Sequence, residues 1–151
     1  MATMTTDCKH FIVRGKFASL PSFSSVVRLI EDSKKNGDFF VDIGSGGYML
    51  TEGHKLESVQ AITDEIESEY GLSDLDAHIY VSMSESSDTF GRHCDDMDVY
   101  YIQGDGNLLF IIEECGHKYE YEMVSGDMVY IPTGIYHTPI PKSKRFGISI
   151  G

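Results

Sequence analysis

The 151-residue sequence has few cations, few cysteines and no long apolar run. Its 12 Lys and Arg against 24 Asp and Glu give a net charge of -12, which argues against nucleic acid or an anionic membrane as the main partner. No window approaches the roughly 18 apolar residues of a membrane span, and the N-terminus lacks the apolar stretch of a signal peptide. The three cysteines, an odd number without CxxC spacing, favour a reduced compartment. We therefore expect a soluble cytoplasmic protein.

The composition that remains is that of a folded chain. Hydrophobic residues make up 41% and charged residues 24% of the sequence, which is ordinary for a globular protein. We find no repeat, linker or low-complexity tract, so residues 1–151 are expected to form a single domain. Residues 1–75 should contain helices and short strands, and residues 76–151 the main strands of a barrel with the functional site.

Two helices are predicted in the first part. In "LPSFSSVVRLIEDSKKNG", Ser22 or Ser24 can cap the start and Asn36-Gly37 can end the helix. The second helix is expected from about His54 to Gly71, because apolar residues recur at spacings of three and four. Between them, "DFFVDIG" and "GYML" are predicted strands joined by a "GSGG" turn. A phosphate-binding role for this turn is disfavoured, since no GK[ST] or GxGxxG pattern follows.

The second part is rich in short β-type runs. Six of them are separated by turn residues such as "GDGN", "SGD" and "PKSK", and their nearly even spacing is typical of a sandwich or barrel. The six runs are "AHIYVSM", "DVYYIQ", "NLLFIIEE", "KYEYEMV", "DMVYIP" and "RFGISI". The sequence therefore predicts a mainly β protein.

Two patterns in this part carry chemistry. In His93-Cys94-Asp95 the histidine and the carboxylate lie two residues apart, so both can face the same side of an extended segment. Alone, "HCDDMD" is more typical of a solvated acidic loop. The second pattern, "GDMVYIPTGIYH", ends at His137 and reads G-x5-P-x-G-x2-H, which matches the second sequence motif of the cupin superfamily.

Together the two patterns resemble the JmjC-type ribosomal oxygenases, which belong to the cupin superfamily. "HCDDMDVYYIQGDG" corresponds to their HxD pair and following strand, and "GDMVYIPTGIYH" to their distal histidine. The resemblance implies a double-stranded β-helix of about eight strands, a cupin or jelly-roll barrel, with the two helices packed outside. It also implies Fe(II) held by His93, Asp95 and His137, with 2-oxoglutarate as co-substrate.

The ligand chemistry agrees with that implication. Two imidazoles and one carboxylate leave three positions open on an octahedral iron, enough for a bidentate 2-oxo acid and dioxygen. A zinc hydrolase would accept the same ligands. Asp96 and Asp98 are the rival carboxylates, and Asp98 is better placed to form hydrogen bonds that support the ligands. Cys94 should point away from the metal.

The chain departs from the family where the co-substrate binds. The ribosomal oxygenases hold the distal carboxylate with an Arg or Lys on the strand after the HxD pair, but here Asn107 and Leu108 occupy the corresponding positions. Arg145 on the last strand is a substitute clamp. The alternative assigns Arg145 to the solvated "PKSKR" turn.

Other polar residues alternate onto the faces of two strands. Ser149 shares a face with Arg145 at period two, and one face of "AHIYVSMS" carries a histidine, a tyrosine and a serine. We expect these side chains to line the co-substrate pocket, although such a face is equally typical of an ordinary barrel core. The set consists of His78, Tyr80, Ser82 and Ser149.

The sequence leaves three functional hypotheses. The first is an Fe(II)- and 2-oxoglutarate-dependent oxygenase whose catalytic residues are the metal ligands alone. The second is a metal-binding cupin that acts as a small-molecule binding module, and the third is a cupin enzyme that uses Fe, Mn or Zn without 2-oxoglutarate. The expected partners are the small-molecule co-substrate, a basic protein or peptide as substrate, and a second copy in a homodimer. Because the chain stops after its last predicted strand, we expect no C-terminal extension, which argues against a ribosomal substrate.

Overall fold

The computed structural model describes residues 8–37 and 40–151. The described residues form ten β-strands, two α-helices and one short 3-10 helix, Gly53–Lys55. The first predicted short strand began at Asp38, and Asp38 and Phe39 lie outside the described residues. The strands and helices are β1 Phe11–Val13, α1 Phe23–Asn36, β2 Phe40–Gly44, β3 Gly47–Leu50, α2 Glu57–Tyr70, β4 Ala77–Ser82, β5 Val99–Asp105, β6 Leu108–Glu114, β7 His117–Met123, β8 Met128–Ile131, β9 Tyr136–Pro141 and β10 Arg145–Ile150.

Both helices lie close to the predicted positions. Ser22 caps α1, because its hydroxyl accepts the backbone N–H of Ser25 at 3.1 Å, and Gly37 ends the helix with a φ of 72°. α2 begins at Glu57 and not near His54, since the 3-10 turn precedes it. Gly71 ends it as expected. Neither helix is long and apolar enough to cross a membrane.

The strands form two antiparallel sheets. The larger sheet has seven strands in the order β1-β8-β5-β10-β4-β3-β2, and the smaller has three in the order β7-β6-β9. The prediction of a mainly β protein with two helices is therefore confirmed. The sequence analysis missed β1 and β9. β9 contains Pro139 and Pro141, which disfavour a central strand, and it lies at the edge of its sheet, where proline is tolerated.

The two faces of the seven-stranded sheet bury different residues. One face packs on the helices, with Ile79, Ile102 and Ile148 against α1 and α2 residues such as Val26 and Ile66. The alternate residues of the same strands point to the three-stranded sheet and form a second apolar cluster around its central strand. That cluster comprises Tyr101, Leu108, Phe110, Ile112, Met123, Val129 and Ile131. The helices therefore cover the face opposite the interior between the sheets.

The buried carboxylate of Glu114 binds the N-terminal segment to β6. Glu114 accepts the backbone N–H groups of Lys9 and His10, both at 3.0 Å, and the His10 ring contacts the same carboxylate at 2.6 Å. A disulfide joins Cys8 to Cys115, whereas Cys94 is free and exposed. This disulfide differs from the reduced thiols expected from the sequence, because only the fold brings two cysteines 107 residues apart together.

Candidate metal centre

Three predicted side chains meet at one point between the sheets. His93 and Asp95 lie in the loop between β4 and β5, and His137 lies in β9. Their ligand atoms are all within 4.8 Å of one another. His137 Nε2 is 3.3 Å from Asp95 Oδ2, and His93 Nε2 is 3.9 Å from Asp95 Oδ1. Two atoms bound to one ion at adjacent positions are about 3 Å apart, so the spacing fits a metal ion.

Backbone hydrogen bonds hold the loop against β9. His93 and His137 form an isolated antiparallel bridge, and the N–H of Gly134 donates to the carbonyl of Asp95 at 2.9 Å. Beside the bridge, Arg92 donates two hydrogen bonds to Glu113, at 2.7 and 3.1 Å. The loop that carries His93 and Asp95 is therefore bonded to both β9 and β6.

The hydrogen bonds of both imidazoles determine their tautomers. His93 Nδ1 lies 2.7 Å from the carbonyl of Gly91, and His137 Nδ1 lies 2.9 Å from the carbonyl of Ile135. Because a carbonyl only accepts, each Nδ1 carries the proton, and each neutral ring turns an unprotonated Nε2 toward Asp95. Two nitrogen lone pairs and a carboxylate then face one another, an arrangement that a divalent cation would stabilise.

The charge of Asp95 responds to the same geometry. The adjacent His137 imidazole lowers the pKa of Asp95 below its ordinary value, against the opposing effect of burial. The nearby His93 ring lowers the pKa of Asp95 further. The carboxylate is therefore ionised and available to a cation over a wide pH range.

A pocket extends from these three side chains between the sheets, and Arg145 lines it. Arg145 is only 2% exposed, and its Nε donates to Ser82 Oγ at 2.9 Å and its Nη1 to Tyr101 Oη at 3.2 Å. No carboxylate within residues 8–37 and 40–151 lies within ion-pair distance of its guanidinium. The alternative that placed Arg145 in a solvated turn is therefore wrong. Lining residues also include Tyr80, Phe90, Val99, Phe110, Ile131, Pro139 and Ser149.

The other predicted co-substrate residues occupy the same face of the seven-stranded sheet. Tyr80 and Ser149 line the pocket, and Ser82 is buried against Arg145. His78 is half-buried and pairs in register with Ser149. Burial, with the nearby charge of Asp95, raises the pKa of Tyr80 to about 12, so its hydroxyl keeps its proton at neutral pH.

Of the residues considered beside Asp95, two are exposed and one supports the site indirectly. Asp96 and Cys94 are exposed. Asp98 accepts the backbone N–H of Thr133 at 2.9 Å, and the Thr133 hydroxyl donates to the carbonyl of Asp95 at 3.2 Å. Asp98 therefore supports the turn that holds the Asp95 backbone, and its contact with the three side chains is indirect.

Sequence reasoning missed part of the pocket. Tyr101 lines the pocket beside Arg145 and binds Gln103 behind it, and the alternation of both residues onto one face of β5 is the signal that could have found them. Phe90 stacks edge-on against Tyr80 with 6.0 Å between ring centroids. No local pattern singles out Phe90, since its position depends on how the loop folds. At the expected cation positions, Asn107 is exposed in a turn and Leu108 is buried in the core.

This chain is similar to proteins of a known family. A family model described as JmjC domain matches residues 49–121, a range that includes His93 and Asp95. The chain resembles the JmjC domain proteins. This confirms the resemblance predicted from the sequence.

Solved structures of the ribosomal oxygenase YcfD from Escherichia coli share the fold. The structure in complex with cobalt and 2-oxoglutarate has 17% identity and a TM-score of 0.73, over 95% of this chain and 47% of that one. The complex with cobalt and succinic acid has 17% identity and a TM-score of 0.74, and a third YcfD structure has 18% and 0.74, both with the same coverage. This chain thus spans about half the length of the YcfD structures that it matches. No curated protein sequence matches it.

Proposed function

We propose that this protein is an Fe(II)- and 2-oxoglutarate-dependent oxygenase. One observation carries the proposal: a buried Arg145 without a carboxylate partner among the described residues shares a pocket with His93, Asp95 and His137. A buried cation whose partners are neutral is costly unless an anion joins it. A dicarboxylate that reaches from a metal ion to Arg145 would supply that anion.

In this proposal, His93, Asp95 and His137 would hold the iron, and three protein ligands would leave room on it for a co-substrate. When bound, the iron and 2-oxoglutarate supply the oxidising chemistry, and the protein positions and shields the reactants. Tyr80 and Ser149 line the co-substrate side, His78 lies opposite Ser149 on the neighbouring strand, and Ser82 supports Arg145. Asp98 acts on the ligands through the turn at Thr133. The two sheets would form the double-stranded β-helix of a single domain.

The comparisons support the proposal in two ways. The family model described as JmjC domain matches around the first two proposed ligands, and YcfD, which shares the fold, has a solved structure in complex with cobalt and 2-oxoglutarate. Because YcfD is a ribosomal oxygenase, a protein substrate is a reasonable expectation for this chain too. The net charge of -12 favours a basic protein or peptide.

A single titration tests the function. Fe(II) is added to the protein without oxygen, followed by 2-oxoglutarate, and the visible charge-transfer band of the chelated 2-oxo acid is recorded. We expect a saturable band in the wild type, no band in His93→Ala, and a band only at much higher 2-oxoglutarate concentration in Arg145→Gln. His54→Ala is the matched control, since His54 is exposed on the 3-10 helix.

Iron binding without a band in the wild type would contradict the proposal. The protein would then be a metal-binding module or a cupin enzyme that does not use 2-oxoglutarate. The departure at Asn107 and Leu108 is the observation that favours this second candidate.

A further inference from the structure

Three buried polar side chains form a hydrogen-bonded chain behind the pocket. The hydroxyl of Tyr101 donates to Gln103 Oε1 at 2.6 Å, and Arg145 Nη1 donates to the same hydroxyl at 3.2 Å. Gln103 is 0%, Tyr101 4% and Arg145 2% exposed. Gln103 and Tyr101 lie on β5, beside β10, which begins with Arg145. These hydrogen bonds therefore link two neighbouring strands through buried side chains.

The orientation of Gln103 determines the direction of every hydrogen bond in this chain. Its Nε2 donates to the carbonyls of Asp105 at 2.9 Å and Gly106 at 3.1 Å. Carbonyls only accept, so the amide nitrogen must face them and Oε1 must face Tyr101. The single hydroxyl proton of Tyr101 is therefore given to Gln103. The Tyr101 oxygen then accepts the hydrogen bond from Arg145.

These bonds determine which edge of the Arg145 guanidinium is left for a ligand. A guanidinium has five N–H groups. The N–H of Nε donates to Ser82, and one N–H of Nη1 donates to Tyr101. One N–H of Nη1 and both of Nη2 remain. The N–H groups that remain on Nη1 and Nη2 can donate to the two oxygens of a carboxylate, the kind of two-point contact that arginine favours.

Two glycines bring the backbone close to these three side chains. Gly147 of β10 lies against the Tyr101 ring, and a Cβ at this position would overlap the ring and its hydroxyl. A Cβ on Gly106, whose carbonyl binds Gln103, would approach the Arg145 Cβ to 2.8 Å. Both glycines thus let the two strands approach closely enough for the chain to form.

We infer that Gln103 is a positioning residue for co-substrate binding, which acts through the Tyr101 hydroxyl to direct the free edge of Arg145 toward the distal carboxylate. The inference rests on the proposed function. It assigns neither Gln103 nor Tyr101 a contact with the reacting atoms. It also predicts that their effect depends on the distal carboxylate and is absent for a 2-oxo acid without one.

The experiment uses the full chain loaded anaerobically with Fe(II). It is titrated separately with two probes, 2-oxoglutarate and pyruvate, and the charge-transfer band reports the binding of each. Tyr101→Phe removes a single hydroxyl, and we expect it to weaken 2-oxoglutarate binding at least about 10-fold, as for a hydrogen bond to a charged group. Binding of pyruvate and Fe(II) should change less than about twofold. A general structural defect would weaken all three alike.

A double-variant comparison tests the role of Gln103. Gln103→Met should weaken 2-oxoglutarate binding in the wild-type background but add nothing to Tyr101→Phe, since its effect passes through that hydroxyl. Ser82→Ala, which removes the partner of Nε, should weaken 2-oxoglutarate binding by a comparable factor in either background. If Gln103→Met does not fold, the selectivity of Tyr101→Phe between the two probes decides the inference.

The outcomes separate this inference from the proposed function. A wild-type protein that binds iron but shows no 2-oxoglutarate band overturns both. A normal wild-type band with unchanged 2-oxoglutarate affinity in folded Tyr101→Phe overturns only the inference. Equal losses for 2-oxoglutarate and pyruvate would also overturn it, because the hydroxyl would then act on the whole pocket.

Discussion

His93 and His137 exchange both backbone hydrogen bonds, at 3.0 and 2.8 Å, and their ring centroids lie 4.3 Å apart. The two imidazoles therefore project from paired positions of neighbouring extended segments. Each ring is also bound to a carbonyl two residues away along its own segment. Their relative placement is thus a property of strand pairing, and little side-chain entropy remains to be lost when a metal binds.

The first prediction concerns metal affinity. His137→Ala and His93→Ala should each weaken Fe(II) or Co(II) binding by more than about 100-fold, because loss of a ligand exceeds the effect of losing a supporting hydrogen bond. Isothermal titration calorimetry under anaerobic conditions measures the affinity. His117→Ala is the control, since His117 is exposed at the start of β7. Unchanged affinity in either variant would disprove the assignment of that ligand.

The second prediction concerns Asp98. Asp98→Ala removes the acceptor of the Thr133 N–H, but Gly134 still holds the Asp95 carbonyl. We expect a loss of metal affinity of about 10-fold, the low end for supporting residues. The exposed neighbour variant Asp96→Ala should show no loss. A loss as large as that of Asp95→Ala would mean that Asp98 is itself a ligand.

Local patterns predicted much of this architecture. Helix α1, from its Ser22 cap to Gly37, follows from residue types that act within a few positions of one another. The same holds for the alternation of β4 and β10, which brings Tyr80, Arg145 and Ser149 to one pocket.

Features that depend on long-range pairing were not predicted. The contact of Arg145 with Tyr101 requires that β10 lies beside β5, and the contact of His10 with Glu114 joins residues 104 positions apart. Periodicity gives the face of a residue but not its neighbours on another strand. β9 was missed for a related reason, because its prolines are acceptable only at a sheet edge, which the sequence does not reveal.

The third prediction separates charge from shape at Arg145. Arg145→Lys keeps a cation but loses the planar pair of N–H groups and the bonds to Ser82 and Tyr101. We expect 2-oxoglutarate binding to weaken about 10-fold in this variant and more than about 100-fold in Arg145→Gln, while metal affinity stays unchanged. Charge-transfer titration measures 2-oxoglutarate binding, and calorimetry measures metal affinity. Equal losses in both variants would show that charge alone contributes nothing.

The fourth prediction concerns acid stability. Burial raises the pKa of Asp127, but the N–H groups of Val124 and Gly15 and the Arg14 guanidinium outweigh it, so the pKa lies below its ordinary value of 3.8. A lowered carboxyl pKa stabilises the folded state above the unfolded-state pKa, and this contribution is lost as the pH falls through the folded-state pKa. Asp127→Asn should therefore be less stable than the wild type by about 1–3 kcal/mol at pH 7.

The difference should shrink as the pH is lowered from about 4 to 3. Urea unfolding at several pH values measures it. Asp64→Asn, a change on the exposed side of α2, should be nearly neutral throughout. A gap between wild type and Asp127→Asn that stays constant down to pH 3 would contradict the proposed cause.

The seven-stranded sheet separates the residues that form the helical core from those that line the pocket. Residues that pack on the helices, such as Ile102 and Ile148, alternate along the strands with residues that line the pocket, such as Tyr101 and Ser149. Substitutions on the helical side can therefore tune the folding free energy with little change to ligand geometry. Substitutions on the other side can change the chemistry while the helical core still holds the strands together. An engineer could alter either property of this protein by choosing odd or even positions along the same strand.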